Sequence, residues 1–146
     1  MAQYGADIHK LMTQTLVQFH LQQQKGRVFF DKAPLDFIDI SLLRLIADGP
    51  KLIKEMVDLT GYERKEVAKH INKFILAGFA IKSDVASDRR MTQITITAEG
   101  QATYQRILQK VETLLKQSVA NLSIKEQKAI LKYLNQFNEA LSLLND

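Results

Sequence analysis

Residues 63–80 read ERKEVAKHINKFILAGFA. Val67, Ile71 and Phe74 stand at i, i+4 and i+7, the apolar stripe of a helix. Lys65, Lys69 and Lys73 are each four apart and form one row on the opposite face, with Arg64 beside them. Such a helix can seat its back on a small core and offer its front to phosphates and base edges. A merely solvated helix would carry the same row, so the flanks decide. Before it, Leu52, Ile53, Met56, Val57 and Leu59 build a helix closed by Thr60-Gly61, where Gly61 can supply the positive φ of a tight turn. Helix, short glycine turn, helix is the helix-turn-helix pattern. After it, Phe79 to Ser83 nearly alternates and Gln93 to Thr97 alternates strictly, with β-branched residues, as paired strands do. The connection expected between them, Asp84 to Thr92, carries Ser87-Asp88-Arg89-Arg90 at its tip. A hairpin in that place is a wing, and arginines at its tip suit the narrow minor groove of a duplex.

Outward from this centre the chain is helical. Ile8, Leu11, Met12, Leu16 and Phe19 predict a helix from about Tyr4 to Gln24, with Gly26 a candidate C-cap. Arg27 to Leu35 is a connector, because Pro34 disfavours helix at Ala33, and its Phe29 and Phe30 need cover. Asp36 or Asp39 can cap a second helix that carries Ile40, Leu43, Leu45 and Ile46 and stops at Asp48-Gly49-Pro50. Thr97 is a candidate cap for a helix with Tyr104, Ile107, Leu108, Val111, Leu114, Leu115 and Val119. Ser123 and Glu126 form a capping box before a last helix. There Ile130, Leu134, Phe137, Leu141 and Leu144 step by four and three, an a/d seam suited to another helix. The first and last two helices exceed what a small winged domain covers, which predicts a dimerisation lobe. An intramolecular bundle is the other use of such faces.

Composition narrows the functions. The chain has 146 residues, 46% hydrophobic and 25% charged, as in an ordinary globular protein. No apolar run approaches a membrane span, and residues 1–9 lack the apolar core of a signal peptide. The absence of cysteine excludes disulfides and thiolate catalysis and fits a cytoplasmic protein. Net charge is +4, and the excess lies in residues 51–97, nine Lys/Arg against six Asp/Glu, where a polyanion would be met. His9, His20 and His70 are dispersed, with no metal-ligand spacing, and no glycine-rich phosphate loop is present. The sequence therefore predicts no enzyme and no cofactor.

The order helix, helix, helix-turn-helix, wing and two long helices resembles the MarR family, the multiple antibiotic resistance regulators. The likeness is most specific at the wing. The family pattern Asp-x-Arg, five residues, Leu-Thr, two residues, Gly reads here Asp88-Arg89-Arg90, Met91 to Thr95, Ile96-Thr97, Ala98-Glu99-Gly100. Leu59-Thr60-Gly61-Tyr62 and Ala77-Gly78-Phe79 also sit where the family has its turn and the start of its wing. The resemblance implies one chain over 1–146, mainly α with a small β wing. Residues 36–97 would form the winged helix-turn-helix, and 4–25 with 98–144 a helical dimerisation part. It implies a homodimeric regulator on double-stranded DNA, a repressor released by a small aromatic or apolar effector. Arg64, Lys65, Lys69 and Lys73 would meet the duplex, with Ser87, Asp88, Arg89 and Arg90 at the wing. The effector would bind near Phe29, Phe30 and Phe37.

Five positions depart from the family. Glu63 stands where a Ser or Thr usually caps the recognition helix and is a poor cap. Glu66 adds a second carboxylate, which repels phosphate or accepts from cytosine N4. His70 replaces an apolar residue and reads as a half-buried helix position. Ile75 and Leu76 replace a charged pair. Exposed, they would form an apolar patch for a protein partner, the alternative being a winged-helix antiregulator that binds no DNA.

Overall fold

Capping residues and the 3.6-residue stripe account for most boundaries of the protein. The computed structural model describes residues 3–24, 35–85 and 88–145, with the backbone alone at 23–24 and 88–90. In order come α1 (Gly5–Gln24), α2 (Phe37–Ala47), β1 (Lys51–Leu52), α3 (Ile53–Thr60), α4 (Arg64–Leu76), β2 (Ala80–Val85), β3 (Asp88–Ile96), α5 (Ala98–Ser118) and α6 (Ile124–Ser142), then a 3-10 turn at Leu143–Asn145. The expected cap at Gly26, the connector with Phe29, Phe30 and Pro34, and Ser87 lie outside the described residues. The chain divides into two compact units, Met1–Lys110 and Val111–Asp146.

The first unit holds the winged helix-turn-helix. Asp36 caps α2 by accepting the Asp39 backbone N–H, and the Asp39 carboxylate accepts the Asp36 N–H in return, both at 2.8 Å. Leu42, Leu43 and Ile46 of α2, Met56 of α3, Val67, Ile71 and Phe74 of α4 and Ile94 of β3 are all shielded from solvent to within a few per cent, with α2 and α3 each packed on α4 and β3. The stripe expected on α4 is therefore its buried face. On α2 the buried apolar set is Leu42, Leu43 and Ile46, while Ile40 and Leu45 are only half-buried. Gly61 ends α3 at φ +73, the left-handed turn expected of it. Helix α4 ends in a Schellman motif, Phe79 N–H to Phe74 carbonyl at 2.8 Å and Gly78 N–H to Ile75 carbonyl at 3.1 Å.

The sheet differs from the expected two-stranded hairpin in two ways. It has three strands, ordered β1-β3-β2, because Lys51 and Leu52 pair with Ile94 and Gln93. Two residues carry no periodic signal, so β1 is invisible to pattern. The strands also run further than expected, to Val85 and from Asp88. Lys82, Ser83 and Asp84 are all exposed. A ribbon that extends past the core has no apolar alternation to reveal it. Its register breaks between Asp84, paired with Thr92, and Val85, paired with Asp88. Arg89, Arg90 and Met91 thus fall within a bulge of β3.

Thr97 joins the wing to α5. Its hydroxyl donates to the Gly78 carbonyl at 2.6 Å and accepts the Gly100 N–H at 3.1 Å, while its own N–H reaches the Phe79 carbonyl at 2.9 Å. The first turn of α5 is pressed against the end of α4 as a result. A Cβ on Gly100 would lie 2.1 Å from the Phe79 carbonyl oxygen and 2.8 Å from Ile96 Cγ1. The glycine of the wing motif is thus a packing requirement. In the second unit α6 is capped reciprocally by Ser123 and Glu126, and the Tyr133 and Phe137 rings stack at 6.0 Å. No residue of α6 is buried, and Ile130, Leu134 and Leu141 are exposed.

Gly100→Ala should lower stability by about 3 kcal/mol, since backbone rather than a flexible side chain blocks the methyl. Gly5→Ala, which meets nothing within 4 Å, should leave it unchanged or raise it slightly. Urea unfolding midpoints of the two variants, at one protein concentration, check the contrast.

Candidate nucleic-acid interface

Burying one side of α4 decides what its other side presents. Arg64, Lys65, Lys69 and Asn72 are exposed along it. Among the described residues Arg64, Lys65 and Lys69 form no ion pair. Glu63 occupies the N-cap with extended backbone and makes no side-chain cap bond, as its chemistry predicts. At the other end Leu76 is 89% exposed, while Ile75 is half-buried. Lys54, on the first turn of α3, is exposed as well and lines a crevice of about 110 Å³ with Arg64, Leu52, Ile53, Met91 and Thr92. That crevice lies between the N-terminal ends of α3 and α4 and the wing strand β3. Lys54 lies off the apolar stripe of α3, and a helical wheel of 53–60 identifies it as outward. The backbone places Arg89 and Arg90 on β3 in the bulge.

Lys73 is differently placed from the rest of its row. Its ammonium donates to Asp39 Oδ2 at 2.6 Å, and Asp39 is fully buried. The other Asp39 oxygen meets His70 Nδ1 in a short contact, and His70 Nε2 lies 3.0 Å from Glu66 Oε1. Asp36 Oδ1 stands 3.9 Å from the same ring. His70 is 4% exposed, well beyond the half-buried position expected. Burial opposes charging of the ring. Hydrogen bonds to Asp39 and then to Glu66, with the charges of Asp39 and Asp36, outweigh it and hold the His70 pKa above its ordinary value. Carboxylates at both nitrogens fit the doubly protonated imidazolium. Glu66 is thereby engaged with the helix's own histidine.

Asp36, Asp39 and His70 bring polar side-chain atoms within 4.8 Å of one another. The His70 ring and the Lys73 ammonium already hold the Asp39 oxygens. A second link joins α2 to the turn before α4. Ser41 donates to the Ile38 carbonyl at 2.8 Å, which leaves the Tyr62 hydroxyl to donate to Ser41 at 3.1 Å.

Of the expected effector residues only Phe37 is described; its ring meets Phe19 of α1 edge-on at 5.1 Å. An open groove of about 470 Å³ lies on the other flank of α4, lined by Leu35, Lys69, Asn72, Lys73, Leu76, Ala77 and Phe79.

No family model and no curated protein matches the sequence. Solved structures do. A MarR family protein from Bacillus stearothermophilus superposes with a TM-score of 0.77 at 12% identity, over 94% of this chain and 94% of that one. The fold is that of the MarR family. AbsC, a MarR family transcriptional regulator from Streptomyces coelicolor, gives 0.73 at 14% identity over 97% of both chains. Bordetella bronchiseptica BpsR, whose DNA binding is regulated by 6-hydroxynicotinic acid, gives 0.70 at 17% identity over 94% of this chain and 97% of that one. At such identities the backbone is common while the MarR fold's outward side chains are this chain's own. Among the described residues no helix is long and apolar enough to cross a membrane.

Asp39→Ala would leave His70 and Lys73 facing a buried gap. It should cost about 3 kcal/mol in urea unfolding, whereas Asp39→Leu combined with His70→Leu should cost less, because no buried charge is then stranded. The stabilisation from His70 should be complete at pH below the ordinary imidazole range and decline as pH rises through its raised pKa. Chemical unfolding between about pH 6 and about pH 9 reads that slope.

Proposed function

We propose that this protein is a DNA-binding transcriptional regulator that acts as a homodimer on a pseudo-palindromic operator. The carrying observation is the face of α4. In a helix-turn-helix of MarR fold, its second helix turns Arg64, Lys65 and Lys69 outward, beside a wing strand with Arg89 and Arg90. Arg64, Lys65, Lys69 and Lys73 on the helix, and Ser87, Asp88, Arg89 and Arg90 at the wing, form the proposed contact set. Lys73 contributes through its place on α4 while its ammonium holds Asp39. Lys54 joins the set, since its crevice with Arg64 suits a backbone phosphate between helix and wing.

The homodimer is supported by uncovered apolar faces. Ile8, Leu11, Leu16 and Leu21 on α1, and Ile130, Leu131, Leu134 and Leu141 on α6, are all exposed in the single chain. Faces of that size are ordinarily interfaces. Two recognition helices would then take half-sites about one turn, ~10 bp, apart. The effector is a small aromatic or apolar molecule near Phe29, Phe30 and Phe37, and its release of the repressor is a rigid-body change in the spacing of the two helices. The BpsR precedent, a nicotinic acid derivative that regulates DNA binding, is the support for that class of ligand.

A second reading has one specific observation behind it. Leu76, almost fully exposed on the recognition helix, together with the exposed Glu63 suits a protein partner better than a phosphate. Gel shifts with DNA from the protein's own locus, over a salt series, discriminate. Under the favoured reading log K falls with log salt, by about 0.9 per phosphate contact. Lys65→Ala with Lys69→Ala should lower affinity at least tenfold and flatten that slope by about two contacts. Under the second reading no duplex binds even at low salt, and Leu76→Glu abolishes a protein complex. For the dimer, Leu134→Glu with Leu141→Glu should yield monomers by sedimentation and lose operator binding.

A further inference from the structure

We propose that the proton on His70 fixes the seat of the recognition helix on α2, with Asp39 as the positioning residue, so that DNA affinity falls as pH rises. The inference rests on the DNA-binding reading above and adds a regulatory device to it. Its basis is geometry. The buried His70 ring sits between Asp39 Oδ1 on one nitrogen and Glu66 Oε1 on the other. A carboxylate only accepts, and a neutral imidazole has one N–H, so deprotonation leaves one carboxylate facing a lone pair. Attraction turns into repulsion where the effective dielectric is low.

The groups that face the ring are few. From α2 and its cap come Asp39 and Asp36, from α4 itself Glu66, and Lys73 shares Asp39 with the ring. Among the described residues α3 and β2, which also pack on α4, add no charged group to this set. With the proton present, three carboxylates face two cations. Without it, Lys73 alone answers all three. Glu66, whose side chain is 40% exposed, then turns to solvent on the helix that carries Lys65 and Lys69. A carboxylate there repels phosphate, and the loss of the α2 bracket loosens the turn that presents Lys69. The raised His70 pKa puts this change above the range of an ordinary histidine. His9 and His20 lie on α1 and have no part in the bracket.

The experiment measures operator affinity by fluorescence anisotropy at constant ionic strength from about pH 6 to about pH 9. Wild-type affinity should fall about tenfold across the series. Glu66→Gln keeps the ring bracketed but removes one charge, and should move the midpoint down by about one pH unit. His70→Gln should show no step. A pH-independent wild-type affinity, an unmoved midpoint in Glu66→Gln, or the same step in His70→Gln overturns the proposal. If no duplex binds at any pH, the DNA-binding reading fails. The latch is then judged on amide exchange of α4, corrected for the intrinsic pH dependence. Faster exchange above the His70 midpoint supports it, and unchanged exchange overturns it. Should the variants fail to fold, the wild-type His70 ring resonance decides. A ring that deprotonates at or below the ordinary histidine value overturns the proposal.

Discussion

A carboxylate with no access to water has to be answered by the protein, and Asp39 is such a group. Its partners come from three places: the Asp36 backbone, the His70 ring and the Lys73 ammonium. Two of the three lie on α4, one turn apart. A buried network of this kind adds little net stability against an apolar core of equal volume, because desolvation consumes most of the Coulombic gain. What it adds is register. The apolar contacts of Leu42, Leu43 and Ile46 with Val67, Ile71 and Phe74 tolerate small sliding of α4 on α2. The bracket around His70 does not, since a displaced ring strands a buried charge. The direction in which Arg64, Lys65 and Lys69 point therefore depends on one buried acid of α2.

The other end of α4 is held by a different device. The Schellman turn at Gly78 exposes a carbonyl that Thr97 takes, and the same hydroxyl caps α5. Gly100 lets the backbones approach until Phe79 and α5 touch. A tilt of the first turn of α5 thus moves the end of α4 without slack. On the proposed function, this joint is where a change imposed on α5 would first reach α4.

The apolar face of α4, the capping residues Asp36, Thr97 and Ser123, and the turn at Gly61 were legible in the sequence, because each acts through neighbours within a few residues. The His70 bracket was not legible. Asp39 and His70 are 31 residues apart, and a lone histidine on an otherwise apolar face carries no mark of what it meets. Asp39 itself was legible as a cap candidate, which is the local half of its role. Strand β1 was missed because its two residues pair across the sheet and leave no period. The longer wing was missed because Lys82 to Asp84 and Asp88 to Arg90 are polar on both faces, so their pairing is a backbone matter. Leu76 was legible as unusual, and its exposure follows from the helix phase set by Phe74.

The same commitments decide how the basic row works. Read by spacing, Lys65, Lys69 and Lys73 are equivalent. In three dimensions the Lys73 ammonium is committed to a buried acid. The outward charge of α4 is then Arg64, Lys65 and Lys69 against Glu63 at the helix start. Three cations on one helix make a modest phosphate footprint, and log-linear salt dependence at that count gives weak nonspecific binding. On the proposed function such a protein would draw its affinity from several places at once: Lys54 and Arg64 at the crevice, the arginines of the wing bulge, and the doubling of every contact by a second subunit. On that function the uncovered faces of α1 and α6 would matter to DNA affinity as much as the lysine row does.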